Sequence, residues 1–112
     1  PSDAHIDCAW TSDSSRLRNR SEGGETQVYY QEDGSILGAG IVILTVPVSR
    51  LSPVTDNLMR LVALHEVGHA LGMLGHSANP ADVMFFALPL SDDQRELSAR
   101  DRKTLVRLYS RK

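Results

Sequence analysis

The chain has 112 residues, a net charge of −2 and a pI of about 6.1. That length corresponds to one small domain over residues 1–112, and 41% hydrophobic with 23% charged residues suits a globular chain rather than a disordered one. The charge leaves no basic patch for nucleic acid, no apolar run reaches the ~18 residues of a membrane span, and nothing at the start reads as a signal peptide.

Residues 4–11 alternate apolar Ile6, Cys8 and Trp10 with polar His5 and Asp7, which predicts a strand. Cys8 is the single cysteine, so it has no internal disulfide partner and reads as a buried strand position. His5 reads as a polar-face residue. Residues 11–24 are polar, carry Arg16, Arg18 and Arg20, and predict a mobile loop. A second strand over residues 26–31 contains Val28, Tyr29 and Tyr30, and Glu32-Asp33-Gly34-Ser35 forms a turn. Residues 36–46 form an apolar, β-branched third strand in which Gly38 and Gly40 mark a bulge or a close approach. After a connection over residues 47–53, Ser52 before Pro53 starts a helix that runs from about residue 53 to residue 72. Residues 77–90 are a loop. A last helix begins near Ser98 with Asp101 as its capping partner, and buries Leu105, Leu108 and Tyr109. The expected fold class is α+β: a small mixed sheet of about three strands packed on the first helix, plus a C-terminal helix.

The chemistry sits in that first helix, in His65-Glu66-Val67-Gly68-His69. On a helix the two histidines lie one turn apart on one face. Two imidazoles so placed can bind one metal ion, and zinc accepts nitrogen ligands tetrahedrally while keeping a position open for water. Glu66 can take a proton from that water. The alternative is a helix with two surface histidines and a solvated glutamate. Against it, Leu61, Val62, Leu64, Val67, Ala70 and Leu71 recur at helical spacing, so the helix is largely packed. Gly68 fits close packing against another element. Gly72 ends the helix and lets the chain turn, so that His76 can arrive as third ligand.

This segment resembles the metzincin clan of zinc peptidases, and the matrixins in particular. The resemblance makes His65, His69 and His76 the zinc ligands and Met84, in Ala81-Asp82-Val83-Met84-Phe85, the methionine of the turn beneath the metal. Ser77 after His76 is the matrixin choice. Phe86, two residues after the methionine, has no hydroxyl and argues against the astacin-like branch. Two departures stand out. Three residues (Met73, Leu74, Gly75) separate Gly72 from His76 where the clan has two, and a bulge at Gly75 could absorb the extra one. Glu96 or Asp82 remains an alternative third ligand, as a downstream glutamate is in the gluzincins. Phe86 and Leu88 also replace the proline and tyrosine that often follow the methionine.

The resemblance implies a zinc-dependent endopeptidase with Zn2+ as cofactor, a peptide or protein substrate, and Glu66 as general base acting on a zinc-activated water. Residues 26–31 would pair with an extended substrate as edge strands do. Val28, Tyr30, Phe85, Phe86 and Leu88 are the expected substrate contacts, with an apolar side chain preferred after the cleaved bond. A full matrixin domain has a strand, a helix and another strand before the segment matching residues 4–11. The sheet's back face would then lack its usual helix and leave apolar surface to be covered by a missing N-terminal segment or by homodimerisation. A secreted or extracytoplasmic location is implied. Two other classes compete: a zinc-binding module or inactive remnant without activity, and an interaction protein whose motif is accidental.

Overall fold

The computed structural model describes residues 5–18, 23–46, 55–86 and 96–110. Strands β1 (His5–Thr11), β2 (Gly24–Tyr30) and β3 (Ile36–Leu44) form one mixed sheet in the order β1-β3-β2. β3 runs parallel to β1 and antiparallel to β2. It takes the centre because it is the most apolar strand. Ala39, Ile41 and Ile43 alternate onto one face and are buried there. Against that face packs helix α1 (Asp56–Ala70), through Val62 and Ala70, with Met59, Ala63 and Val28 filling the margins. Helix α2 (Ala99–Tyr109) follows. The α+β architecture expected from the sequence is therefore the observed one. The polar stretch before β2 includes a short 3-10 turn, Ser14–Arg16, whose cap Asp13 accepts from the Ser15 amide.

Cys8 is exposed, contrary to the expectation of a buried position. The register explains why. Ile6, Cys8 and Trp10 stand level with Ala39, Ile41 and Ile43, so the alternation does mark the apolar face of β1. But α1 lies over β2 and β3, and Ile6 and Trp10 stay 45% and 61% exposed. Uncovered apolar surface thus lies on the α1 side of the sheet at Ile6 and Trp10, and on its back face at Tyr29, which is 53% exposed. At the expected close approach, a Cβ on Gly38 would stand 2.9 Å from the His5 carbonyl oxygen. The sheet's irregularity falls opposite, between Tyr29 and Tyr30.

The proposed helix start at Ser52 and Pro53 lies outside the described residues. α1 has Thr55 as its cap, whose hydroxyl accepts from the Leu58 amide at 3.0 Å. Its buried stripe is Leu58, Leu61, Val62, Glu66, Gly68 and Ala70. At the other end Gly72 has φ +112°, and its N–H donates to His69 O while the Met73 N–H donates to Gly68 O. This paired closure requires a left-handed residue, which is why glycine stands there. Gly75 does not have a positive φ, so the extra residue before His76 is not absorbed by a left-handed glycine at that point.

At Gly68 a side chain would require its methionine neighbours to shift. A Cβ there would stand 2.5 Å from Met84 Sδ and 3.0 Å from Met73 Cε. Gly68→Ala gains about 1 kcal/mol of helix propensity but overpacks this contact at a cost of about 1–3 kcal/mol. We expect a net fall in the thermal midpoint, read by calorimetry. An unchanged or raised midpoint would mean that the ends of Met84 and Met73 shift aside at a cost no larger than the gain in helix propensity.

α2 begins with a capping box: the Asp101 amide donates to Ser98 Oγ and the Ser98 amide to Asp101 Oδ2, both at 3.0 Å. Leu105 packs on a second cluster formed by Met73, Val83 and Met84. The expected burial of Leu108 and Tyr109 is not observed; they are 48% and 58% exposed. The Tyr109 hydroxyl instead donates to the Leu71 carbonyl and ties the end of α2 to the end of α1.

Candidate metal centre and the cleft beside it

α1 sets His65 and His69 one turn apart, and the Gly72 turn brings His76 back to them. The three ring centroids are 4.7, 5.1 and 5.0 Å apart, and one ring nitrogen from each lies within 4.8 Å of the others. The outward-facing hydrogen bonds decide what the inner nitrogens carry. His65 Nδ1 is 2.8 Å from Val83 O and His69 Nδ1 is 2.8 Å from Met73 O. A carbonyl oxygen only accepts, so both Nδ1 atoms hold the proton and, in the neutral rings, both Nε2 atoms hold lone pairs. Those two Nε2 atoms stand 3.1 Å apart. Two lone pairs at that distance repel unless a cation is shared between them. Two nitrogens bound tetrahedrally to zinc stand about 3.3 Å apart, so this pair has the spacing of two zinc donors, and His76 brings a third ring nitrogen within 4.8 Å of both. Burial, chiefly, holds His69 below the ordinary imidazole value; the Met73 bond opposes this and the nearby His65 adds to it. A neutral imidazole is the form that binds metal.

The support for this cluster comes from the far end of the chain. Val83, whose carbonyl orients His65, donates its own N–H to Asp101 Oδ2 at 2.7 Å. One carboxylate thus caps α2 and anchors Val83, the residue whose carbonyl holds a candidate ligand. Asp82 accepts from Ser77 Oγ at 2.5 Å and Ser98 Oγ at 2.6 Å, with Arg100 Nε at 3.7 Å. The Ser77 and Ser98 hydroxyls, with Arg100, hold its carboxyl below the usual range despite burial. Asp82 therefore ties the loop after His76 to α2 and does not join the histidines. Glu96 is exposed and pairs with Arg60 at 3.6 Å. Among the described residues, neither alternative ligand belongs to the histidine group. Met84 is buried under Gly68, and its carbonyl accepts from the Ser77 amide at 2.7 Å.

Glu66 is 1% exposed, and its Oε1 accepts from Thr26 Oγ1 at 2.6 Å. It lines an open cleft of about 280 Å³ together with Gly24, Thr26, Val28, His69 and His76. The carboxylate, two of the histidines and one strand of the sheet thus share one concavity. Among the expected substrate contacts, Val28 lines this cleft. Tyr30 lines a different cavity of about 890 Å³, between the β2–β3 turn and the ends of the two helices. Phe85 is half-buried and Phe86 is 57% exposed, with ring centroids 4.6 Å apart. Leu88 lies outside the described residues.

The sequence profile of the matrixin family matches residues 2–110. The chain belongs to the matrixins. Over 53 residues this matrixin is 49% identical to matrix metalloproteinase-25 of Homo sapiens, a match covering 45% of the chain and 9% of that relative. The chain therefore corresponds to only a small part of the relative's length. No solved structure matches it. Among the described residues of this matrixin, no helix is long and apolar enough to cross a membrane.

Sequence reasoning missed several groups around the cleft. The carbonyls of Met73 and Val83 could not be found, because any residue supplies a carbonyl. Gly24 and Thr26 could have been. They precede Val28 by four and two residues, so a strand that turns Val28 to the cleft turns them there too.

Proposed function

We propose that this matrixin is a zinc-dependent endopeptidase in which His65, His69 and His76 hold the metal and Glu66 is the general base. The observation that carries the reading is the pair of inward Nε2 atoms, fixed by their outward hydrogen bonds, beside a buried carboxylate that lines the same cleft. Zinc, when bound, polarises the scissile carbonyl and lowers the pKa of a water. Glu66 removes the proton from the attacking water and delivers it to the leaving amine. The Val83 and Met73 carbonyls hold the two α1 histidines in the required tautomer. Met84 supports the cluster from below without acting as a ligand. Because β2 is an edge strand, an extended peptide can add to it, with Val28 facing the cleft. By the family resemblance Phe85, Phe86 and Leu88 would line the approach, and an apolar residue after the cleaved bond suits them; Tyr30, which lines the other cavity, is not part of this set.

A single domain over residues 1–112, secretion, and cover of the Ile6–Trp10 surface by an upstream segment or a second copy complete the proposal. The competing reading, a zinc module without activity, calls for a closed four-ligand site. Three candidate ligands gather among the described residues, beside a base that a structural site does not require. A peptide-cleavage assay with a chelator control separates the two: cleavage abolished by chelation and restored by zinc is expected. No cleavage by the zinc-loaded chain would leave only the structural module.

Acid should empty the site. Ligand histidines must be neutral, so zinc binding weakens as pH falls below about 6.5. The metal-free fold weakens in the same direction. His69 is depressed in the folded state, so the unfolded chain takes up its proton first, and stability falls as pH drops below the ordinary histidine value. After dialysis at about pH 4.5, zinc content should be close to zero, against full content at neutral pH. Zinc retained in acid would argue for carboxylate or thiolate ligands.

A further inference from the structure

Strand β2 presents two adjustments to Glu66. Gly24 and Thr26 are two residues apart and share the face turned to α1. A Cβ at Gly24 would stand 2.9 Å from Glu66 Cγ and 3.2 Å from Oε2, so the missing side chain leaves room for the carboxyl group. Thr26 Oγ1 stands 2.6 Å from Glu66 Oε1 and 3.1 Å from the Glu66 carbonyl. The partners are 40 residues apart in sequence, so this is a tertiary contact between the edge strand and the helix. The closer, charged oxygen is the better acceptor for the single hydroxyl proton.

A glutamate's terminal torsion is broad and two-fold, so packing alone fixes its carboxylate poorly. A base that must stay within hydrogen-bond reach of one water gains from being fixed. We propose that Thr26 is a positioning residue for Glu66, its hydroxyl engaging one carboxylate oxygen so that the group keeps one orientation in the histidine cleft. This inference rests on the reading of Glu66 as general base. The bland alternative is that Thr26 only satisfies a buried carboxylate and contributes to folding.

The test compares the zinc-loaded parent with Thr26→Val and Thr26→Ser in a peptide-cleavage assay. Valine keeps the β-branched shape and strand preference and removes the donor. Thr26→Val should lower kcat about 10- to 100-fold, as loss of a supporting hydrogen bond does at metal sites. KM should stay within about twofold, since a transition-state interaction is lost rather than uniform binding. Zinc per chain should be unchanged, and Thr26→Ser should restore most of kcat. A second readout needs no turnover. In the metal-free protein, the Glu66 side-chain carboxyl 13C resonance, assigned by its loss in Glu66→Gln, should move in Thr26→Val and return in Thr26→Ser. If Thr26→Val does not fold, Thr26→Ala carries the same comparison. A parent that cleaves peptides while Thr26→Val matches its kcat overturns the positioning role alone, as does a carboxyl resonance that does not move. A lowered thermal midpoint with kcat intact assigns Thr26 to folding and also overturns it. A zinc-loaded parent that cleaves nothing removes the peptidase reading and this inference with it.

Discussion

Glu66→Ala is expected to retain zinc and lose peptide hydrolysis by a factor of 10² or more, the order that a positioned proton acceptor contributes. The separation of the two readouts follows from the geometry. The candidate ligand atoms are on His65, His69 and His76, while the Glu66 carboxylate meets Thr26 and lines the cleft beside them. Removing it takes away a base and leaves the donor set. Glu66 is 1% exposed, so truncation to alanine leaves a void, and some loss of stability comes with it. Glu66→Gln is the control for that effect, since it keeps the shape and removes the base. Both variants should be inactive with zinc content near that of the parent, measured by elemental analysis beside a cleavage assay. Either variant cleaving at the parent rate would contradict the mechanism. Loss of zinc from Glu66→Gln would mean that the carboxylate is a ligand.

His76→Ala should weaken zinc binding by more than the 10–100-fold typical of changes to groups that merely orient a ligand. His76 is the cluster member that comes from outside α1, and it is exposed, so its loss should not unfold the helix that carries His65 and His69. Helical content by circular dichroism should stay while affinity drops. The contrasting variant is Glu96→Ala. Its carboxylate is at the surface beside Arg60, where an ion pair contributes about 0–1 kcal/mol, and no change in zinc affinity is expected. If His76→Ala kept parent affinity and Glu96→Ala abolished it, Glu96 would be the third ligand.

What the sequence made legible was periodic or fixed in spacing. The two α1 histidines follow from a four-residue offset, and the strands from runs of β-branched and alternating residues. The capping box at Ser98 and Asp101 was equally readable, because its partners are three residues apart. What it concealed depended on which neighbour arrives. The alternation in β1 marked its apolar face, but whether Cys8 is buried turns on whether a helix reaches that strand, and α1 lies over β2 and β3. Leu108 and Tyr109 were expected inside because they sit on an amphipathic helix. α2 docks through Leu105, Asp101 and the Tyr109 hydroxyl instead, and leaves those two side chains largely in solvent. The path from Gly72 to His76 was not readable either. The closure at Gly72 is built from two backbone hydrogen bonds, and one of its residues, Met73, then turns its carbonyl to His69. Asp82 illustrates the limit on assigning ligands by residue type. It is an acid of the right chemistry near the histidines in sequence, yet Ser77, Ser98 and Arg100 occupy its carboxylate.

The measurement that bears most directly on the account is the zinc content of the parent chain at neutral pH, after loading and exhaustive dialysis. Three histidine nitrogens set by α1 and the Gly72 turn predict about one zinc ion per chain. No zinc retained would contradict the metal centre, and with it the role given to Glu66.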